Sequence, residues 1–184
     1  MADTQDVTLS LLSADAAEAR LNDLAALMHS CVRAGASINF ILPFEMPESV
    51  AFWRASVMPP LVTGTRKIWI AELGERLVGS VQLDIGTPPN QPHRAEVTKL
   101  MVHPDARRRG IARLLMAELE REVAALGRTL ITLDTRTGDS AEPLYTSLGY
   151  KTLGVLPGYC IDPVDRSMDD ATFMFKTLGA SQPA

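Results

Sequence analysis

The chain has 184 residues, 46% of them hydrophobic and 22% charged, with a formal net charge of −4. That is enough chain for one domain with a real core, in an ordinary soluble composition. It gives no global reason to bind nucleic acid or an acidic membrane, and no apolar run approaches the ~20 residues that a span needs.

Residues 7–12 read as an edge strand. From 15 to 33, apolar residues recur at Ala17, Leu21, Leu24, Met28 and Val32, which predicts a helix capped by Ser13 and stopped at Gly35. A second helix is predicted over 47–57, with Pro47 in its first turn, Pro59 beyond its end, and Val50, Trp53 and Val57 on its buried side. The period then changes. Residues 67–73 and 77–85 read as strands joined by a turn at Gly74-Glu75, followed by the loop GTPPNQP and a third strand over 95–102. A helix follows from about Gly110 to Leu126, stopped by Gly127. Its apolar face is Ala112, Leu115, Met116, Leu119, Val123 and Leu126. The remainder alternates: strand 129–134, helix 140–148, strand 150–155 and strand 172–177. Pro143 is harmless only in a first turn, which makes Ser140 the predicted cap of that short helix and puts Tyr145 in its second turn. This is a mixed α/β order with one strand-helix-strand crossover and neither repeat nor linker, so we expect a single domain over 1–184. Cys31 and Cys160 lack metal or redox spacing, and the start of the chain is polar and acidic, unlike a signal peptide. Both favour the cytoplasm. His29, His93 and His103 show no metal spacing either and read as structural or surface residues.

The arginine cluster HPDARRRGIARLLM is the feature that asks for a partner. A helix start already carries roughly half a positive charge. Arg107, Arg108 and Arg109 add cations there. A solvated loop is the plain alternative. The strand before it, Gly110 and the strong helix after it favour an anion nest, in which free first-turn N–H groups and guanidinium groups grip a phosphate or diphosphate. No Walker-type loop and no three-glycine dinucleotide fingerprint occurs.

VTKLMVHPDARRRGIARLLM resembles the coenzyme A segment of the GNAT superfamily of N-acetyltransferases, with Arg107, Gly110 and Ala112 at the signature positions. AEPLYTSLGYKTLG resembles the family's later helix-strand motif. RAEVTKLMV, TLDT, LPGYC, FKTLG and GASINF are further similar to the tabtoxin resistance subgroup of that superfamily. The resemblance implies a fold with a mixed, mostly antiparallel sheet flanked by helices, whose strands at 95–102 and 129–134 splay apart. It implies acetyl-CoA as co-substrate and no metal. The pantetheine arm would lie on main-chain groups of Leu100, Met101 and Val102, and the diphosphate on the amides and side chains of Arg107, Arg108, Arg109, Gly110, Ile111, Ala112 and Arg113. Tyr145 would stand near the sulfur and return a proton to the departing thiolate; the plain alternative is a core tyrosine. Where many members carry Asn seven residues before this Tyr, the chain has Gly138, so one side-chain contact to the arm is in question.

Acetyl transfer needs a neutral amine. At pH 7 that costs roughly 4.6 kcal/mol for a lysine-like pKa, part of which a placed carboxylate relieves. Glu96 on the central strand and Asp134 at the end of its neighbour are the candidates, one as base and the other orienting the ammonium. Alternation would put Glu96, Thr98, Leu100 and Val102 on one face. A salt bridge of Glu96 to Arg94 or Lys99, and a turn-capping role for Asp134, are the plain alternatives. Candidates for the acceptor pocket are Ser37, Asn39, Phe40, Phe44, Tyr159 and Asp162, each of which could equally be loop or packing. The resulting expectation is an N-acetyltransferase that acts in a ternary complex on a small amino-acid-like or antibiotic-like amine, with self-association into a homodimer left open. The rival readings are a protein or peptide amine as acceptor, and a non-catalytic acyl-CoA-binding module.

Overall fold

A computed structural model describes residues 6–179. Seven strands make one sheet in the order β1-β2-β3-β4-β5-β7-β6. They are β1 Val7–Leu11, β2 Arg66–Leu73, β3 Arg76–Asp84, β4 Arg94–Val102, β5 Leu130–Arg136, β6 Lys151–Ile161 and β7 Met168–Thr177. All neighbouring pairs are antiparallel except β4 and β5. The helices are α1 Ala14–Ala19, α2 Leu21–Arg33, α3 Met46–Phe52, α4 Met58–Val62, α5 Ile111–Ala125 and α6 Ala141–Ser147.

Alternation along the strands sorts two cores. Trp69, Val81, Leu83, Val97 and Ile131 face α5, against Ile111, Leu115, Met116, Leu119 and Val123. Ile68, Ile70 and Met101 face the N-terminal helices, against Leu24, Met28, Trp53 and Val57. Burying each large side chain of α5 contributes on the order of 1.5–3 kcal/mol, which seats that helix firmly on the sheet. Gly79 sets how close it comes: a Cβ there would stand 2.9 Å from Ile111 Cγ2 and 3.1 Å from Leu115 Cδ1.

Several sequence expectations need correction. The first helix is two, broken at Arg20, whose guanidinium reaches Asp23 at 2.7 Å and Glu72 of β2 at 2.8 Å. Ser13 does cap it, accepting from the Ala16 N–H. The second helix does not end before Pro59. It passes through a π turn, Trp53–Val57, into α4, and Pro59 and Pro60 occupy the first turn of α4, where no N–H is missed. Val50 packs against the core there as expected but is only partly buried, and Ser49, bonded to the Ala25 carbonyl, is fully buried beside it. Leu126 lies past the end of α5 and is exposed. Ser140 precedes α6 but makes no side-chain cap, because Asp139 Oδ1 accepts from its N–H and hydroxyl instead. The last two strands run longer than predicted, and β6 is an exposed outer edge.

The difference that matters most lies in β4. Lys99 has φ +50, and Lys99 with Leu100 stands opposite the single residue Val81 of β3. This β-bulge flips the alternation beyond it. Glu96 and Thr98 lie on the face of the N-terminal helices, whereas Leu100 and Val102 pack with Ala95 and Val97 on the α5 side. The predicted common face of Glu96, Thr98, Leu100 and Val102 therefore does not form.

Candidate active site

The β4–β5 ladder pairs only Arg94↔Leu130, Ala95↔Ile131 and Glu96↔Thr132. Beyond that both strands continue without pairing to each other, β4 to Val102 and β5 to Arg136, so they diverge. The gap opens a cleft of about 830 Å³, within the size range of small-molecule sites. Its walls are β4 from Glu96 to Val102, the start of α5, the end of β5 with Asp134, Thr135 and Arg136, Tyr145 of α6, and the loop after α2 with Ser37 and Asn39.

One end is built for an anion. Arg108 has φ +61 and Gly110 φ +75, the left-handed conformations found in main-chain anion nests. Gly110 then caps the 15-residue α5, whose first amides lack helical partners. Arg107, Arg108, Gly110, Ile111, Ala112 and Arg113 line this end. Ile111 is buried by its side chain, so only its main chain can serve a ligand. Arg109 is exposed and is absent from the lining. The Arg113 guanidinium is held at 2.6 Å by the Ser147 hydroxyl.

Along the middle, Leu100, Met101 and Val102 present the expected free edge of β4. The Val102 carbonyl is already engaged, accepting from Arg107 Nε at 3.4 Å and the Cys31 thiol at 3.5 Å. Burial pushes that thiol up to about 11, against the opposing pull of Arg107, so it stays protonated and unreactive at neutral pH.

The other end holds the carboxylates. Glu96 accepts from Arg94 NH1 at 2.9 Å, and the same guanidinium reaches Thr132 at 3.0 Å. Asp134 enters no ion pair or side-chain hydrogen bond among the described residues. It opens onto the cleft, yet the concave walls restrict its hydration. That burial is the largest cause lifting its pKa above the ordinary value; the charge of Glu96 adds to it and Lys99 opposes it. Tyr145 is 6% exposed, and burial, followed by Asp134 and Asp139, pushes its phenol well up. It therefore remains a protonated donor at any working pH. Lys99 also lines the cleft, with Nζ 5.8 Å from the Phe52 ring. Sequence reading treated it only as a partner for Glu96; its bulge conformation comes from strand register and has no local signature.

Ser37 and Asn39 reach the cleft as expected. Phe40, Phe44, Tyr159 and Asp162 are not among its lining residues. Phe44 is core, its ring tilted against that of Phe40 at 4.5 Å between ring centres, and Phe40 meets Phe52 edge-on at 4.9 Å. Tyr159 stands edge-on against Phe173 on the outer strands. Asp162 closes its own loop: Oδ1 accepts from the Val164 and Asp165 amides, and Oδ2 from Arg136 at 2.6 Å. Gly138 makes a turn at φ +78, and its N–H donates to Glu142 at 2.8 Å. Among the described residues no group of His, Cys, Asp and Glu is arranged to hold a metal ion, and no helix is long and apolar enough to cross a membrane.

Residues 37–150 match the model of a family described as "Acetyltransferase (GNAT) family", which is well over half of the chain. A relative from Azospirillum brasilense, an uncharacterised N-acetyltransferase in the hisH-hisA intergenic region, is 29% identical over 125 residues. The match covers 67% of this chain and 72% of that protein. Two solved structures share the fold. One is a putative acetyltransferase of Salmonella typhimurium with its cofactor acetyl-CoA, at TM-score 0.76 and 17% identity, covering 97% of this chain and 98% of that one. The other is a phosphinothricin acetyltransferase of Sinorhizobium meliloti in complex with acetyl-CoA, at TM-score 0.76 and 19% identity, covering 98% and 94%.

Proposed function

The chain belongs to the GNAT family of acetyltransferases, an acetyl-CoA-dependent acyltransferase, and on that premise we propose that it acetylates the amine of a small, amino-acid-like or antibiotic-like molecule by direct attack in a ternary complex. The residues present fit acetyl-CoA. The nest at Arg108 and Gly110 suits the diphosphate, and the unpaired edge of β4 suits the amide-rich arm. When bound, acetyl-CoA supplies the activated thioester.

The chain's own groups do the rest. Asp134, unpaired and with a raised pKa, takes a proton from the acceptor ammonium. Glu96, held in place by its ion pair with Arg94, orients that ammonium before it gives up the proton. With acetyl-CoA in the cleft, the nitrogen would take the acetyl group as the C–S bond breaks. Tyr145 would give its phenolic proton to the departing sulfur, which ends as the free thiol, and the second proton leaving the nitrogen would restore the phenol. The observation that carries this reading is the placement of Asp134 and Tyr145 in one cleft that ends at a diphosphate nest.

The peptide runs RAEVTKLMV and LPGYC support placement in the tabtoxin resistance subgroup, with a detoxifying role. The exposed apolar residues Leu153, Val155, Leu156 and Tyr159 of the edge strand β6 support homodimer formation, which light scattering would measure. Thiol release from acetyl-CoA against a panel of free amines, amino acids and peptides tests the acceptor class. Turnover with free small amines is expected; turnover with peptides alone would replace it by the protein-amine reading.

A further inference from the structure

At the acceptor end of the cleft most charges are paired. Glu96 is taken by Arg94. Arg136 is shared among Asp162 at 2.6 Å, Asp139 at 3.4 Å and Asp169 at 3.5 Å. Two charged side chains of this end have no ion-pair partner within 4.0 Å among the described residues: Asp134 and Lys99. One is an acid and one a base, and they stand close enough to perturb each other.

Lys99 is costly where it is. A side chain at φ +50 is strained, and glycine would relieve that strain at a bulge. The side chain is half-buried, with the ammonium 5.8 Å from the Phe52 ring. Partial burial of an unpaired ammonium is a further penalty. The wall beside it is polar as well: Thr98, which lines the cleft, has its Oγ1 buried without a hydrogen-bond partner, and both polar ends of Gln82, opposite it on β3 and outside the lining, are buried unpartnered too. Such groups call for a polar ligand near them.

We propose that Lys99 is the anchor for a carboxylate on the acceptor, and that Asp134 and Glu96 hold the amine of the same molecule. A free carboxylate and a free ammonium in one pocket complement a zwitterion, so the acceptor is a free amino acid. A plain alkylamine would leave Lys99 unmatched, and so would a peptide amino terminus, whose carboxyl is tied up as an amide. This inference rests on the acetyl-transfer reading of the same cleft and narrows it.

The test compares kcat/KM for a panel of L-amino acids, β-alanine and γ-aminobutyrate with kcat/KM for their carboxamides, in the natural protein and in Lys99→Met and Lys99→Arg. The natural protein is expected to prefer the acid over its carboxamide by tenfold or more. Lys99→Met should shrink that ratio roughly ten- to hundredfold, through KM of the acid, since a charge-assisted hydrogen bond is lost. KM for acetyl-CoA and the melting temperature should hold, and Lys99→Arg should restore the ratio. Equal turnover of acids and carboxamides by the natural protein overturns the proposal. So does a Lys99→Met loss that falls equally on both acceptors or on KM for acetyl-CoA. If Lys99→Met does not fold, the acid-to-carboxamide ratio of the natural protein decides alone. Thiol release with carboxamides or peptides but not amino acids removes this inference and leaves acetyl transfer standing; no release with any acceptor removes both.

Discussion

Arg94 and Glu96, two residues apart on β4, form an ion pair of 2.9 Å that leaves Asp134 as the unpaired carboxylate of the cleft. The pair distinguishes two acids that look equivalent in the sequence, and the proposed mechanism uses that difference. Burial first, and then the negative charge of Glu96, raise the pKa of Asp134 and make it a better proton acceptor.

Asp134→Asn is therefore expected to lower kcat by roughly 10²–10⁴. Because its pKa is raised, the natural protein should lose activity as pH falls through that value, and the variant should lose this acidic limb. Glu96→Gln should act mainly on KM of the acceptor and keep the limb. A pH-rate profile for each variant checks both; the reverse pattern would exchange the two roles.

Tyr145→Phe removes one donated hydrogen bond and little volume. The expected loss is about 10²–10³ in kcat, by analogy with other donors to a developing anion, with acetyl-CoA affinity nearly constant. Since burial keeps the phenol protonated, no basic limb should be assignable to it. Calorimetry with CoA, alongside steady-state rates, separates a lost donor from a disturbed core.

Gly79→Ala would push on Ile111 and Leu115, the residues that seat the start of α5. Overpacking of this kind costs about 1–3 kcal/mol. At roughly 2–4 °C per kcal/mol for a chain this size, melting should fall by several degrees. The more specific result is a raised KM for acetyl-CoA with the acceptor KM unmoved, because the diphosphate nest shifts with the helix.

Lys99 gives a pH signature on the basic side. Burial lowers its pKa to about 8, with Arg66 adding to the fall and Asp134 opposing it. The groups around it are Asp134 from β5, Arg66 from β2, and Phe52 from α3, which carries no charge. Below that pH the lysine is charged and, on the proposed assignment, would hold the acceptor carboxylate; above it the charge is lost. KM for an amino acid should thus rise from about pH 8 upward, whereas Lys99→Arg should stay flat over that range. An acceptor KM that does not change with pH in the natural protein would contradict the assignment.

Much of this was legible in the residue order. The crossover β4-α5-β5, the start of α5 at Gly110 and the placement of Tyr145 on α6 follow from local periodicity and a short motif. What stayed hidden depends on register or on distant partners. The flip of Leu100 and Val102 to the α5 side follows from one extra residue opposite Val81, which no local pattern records. Asp162 looked available until Arg136, 26 residues earlier, is seen to claim it. Pro59 read as a stop, because a helix that restarts through a π turn has no distinct composition.

The most direct measurement is an initial-rate study with acetyl-CoA and an amino acid varied together, with mass spectrometry of both the acceptor and the protein. Direct attack within one cleft predicts intersecting double-reciprocal lines, an N-acetylated acceptor and an unmodified chain. Parallel lines with an acetylated protein, or tight acetyl-CoA binding with no thiol released, would contradict the account.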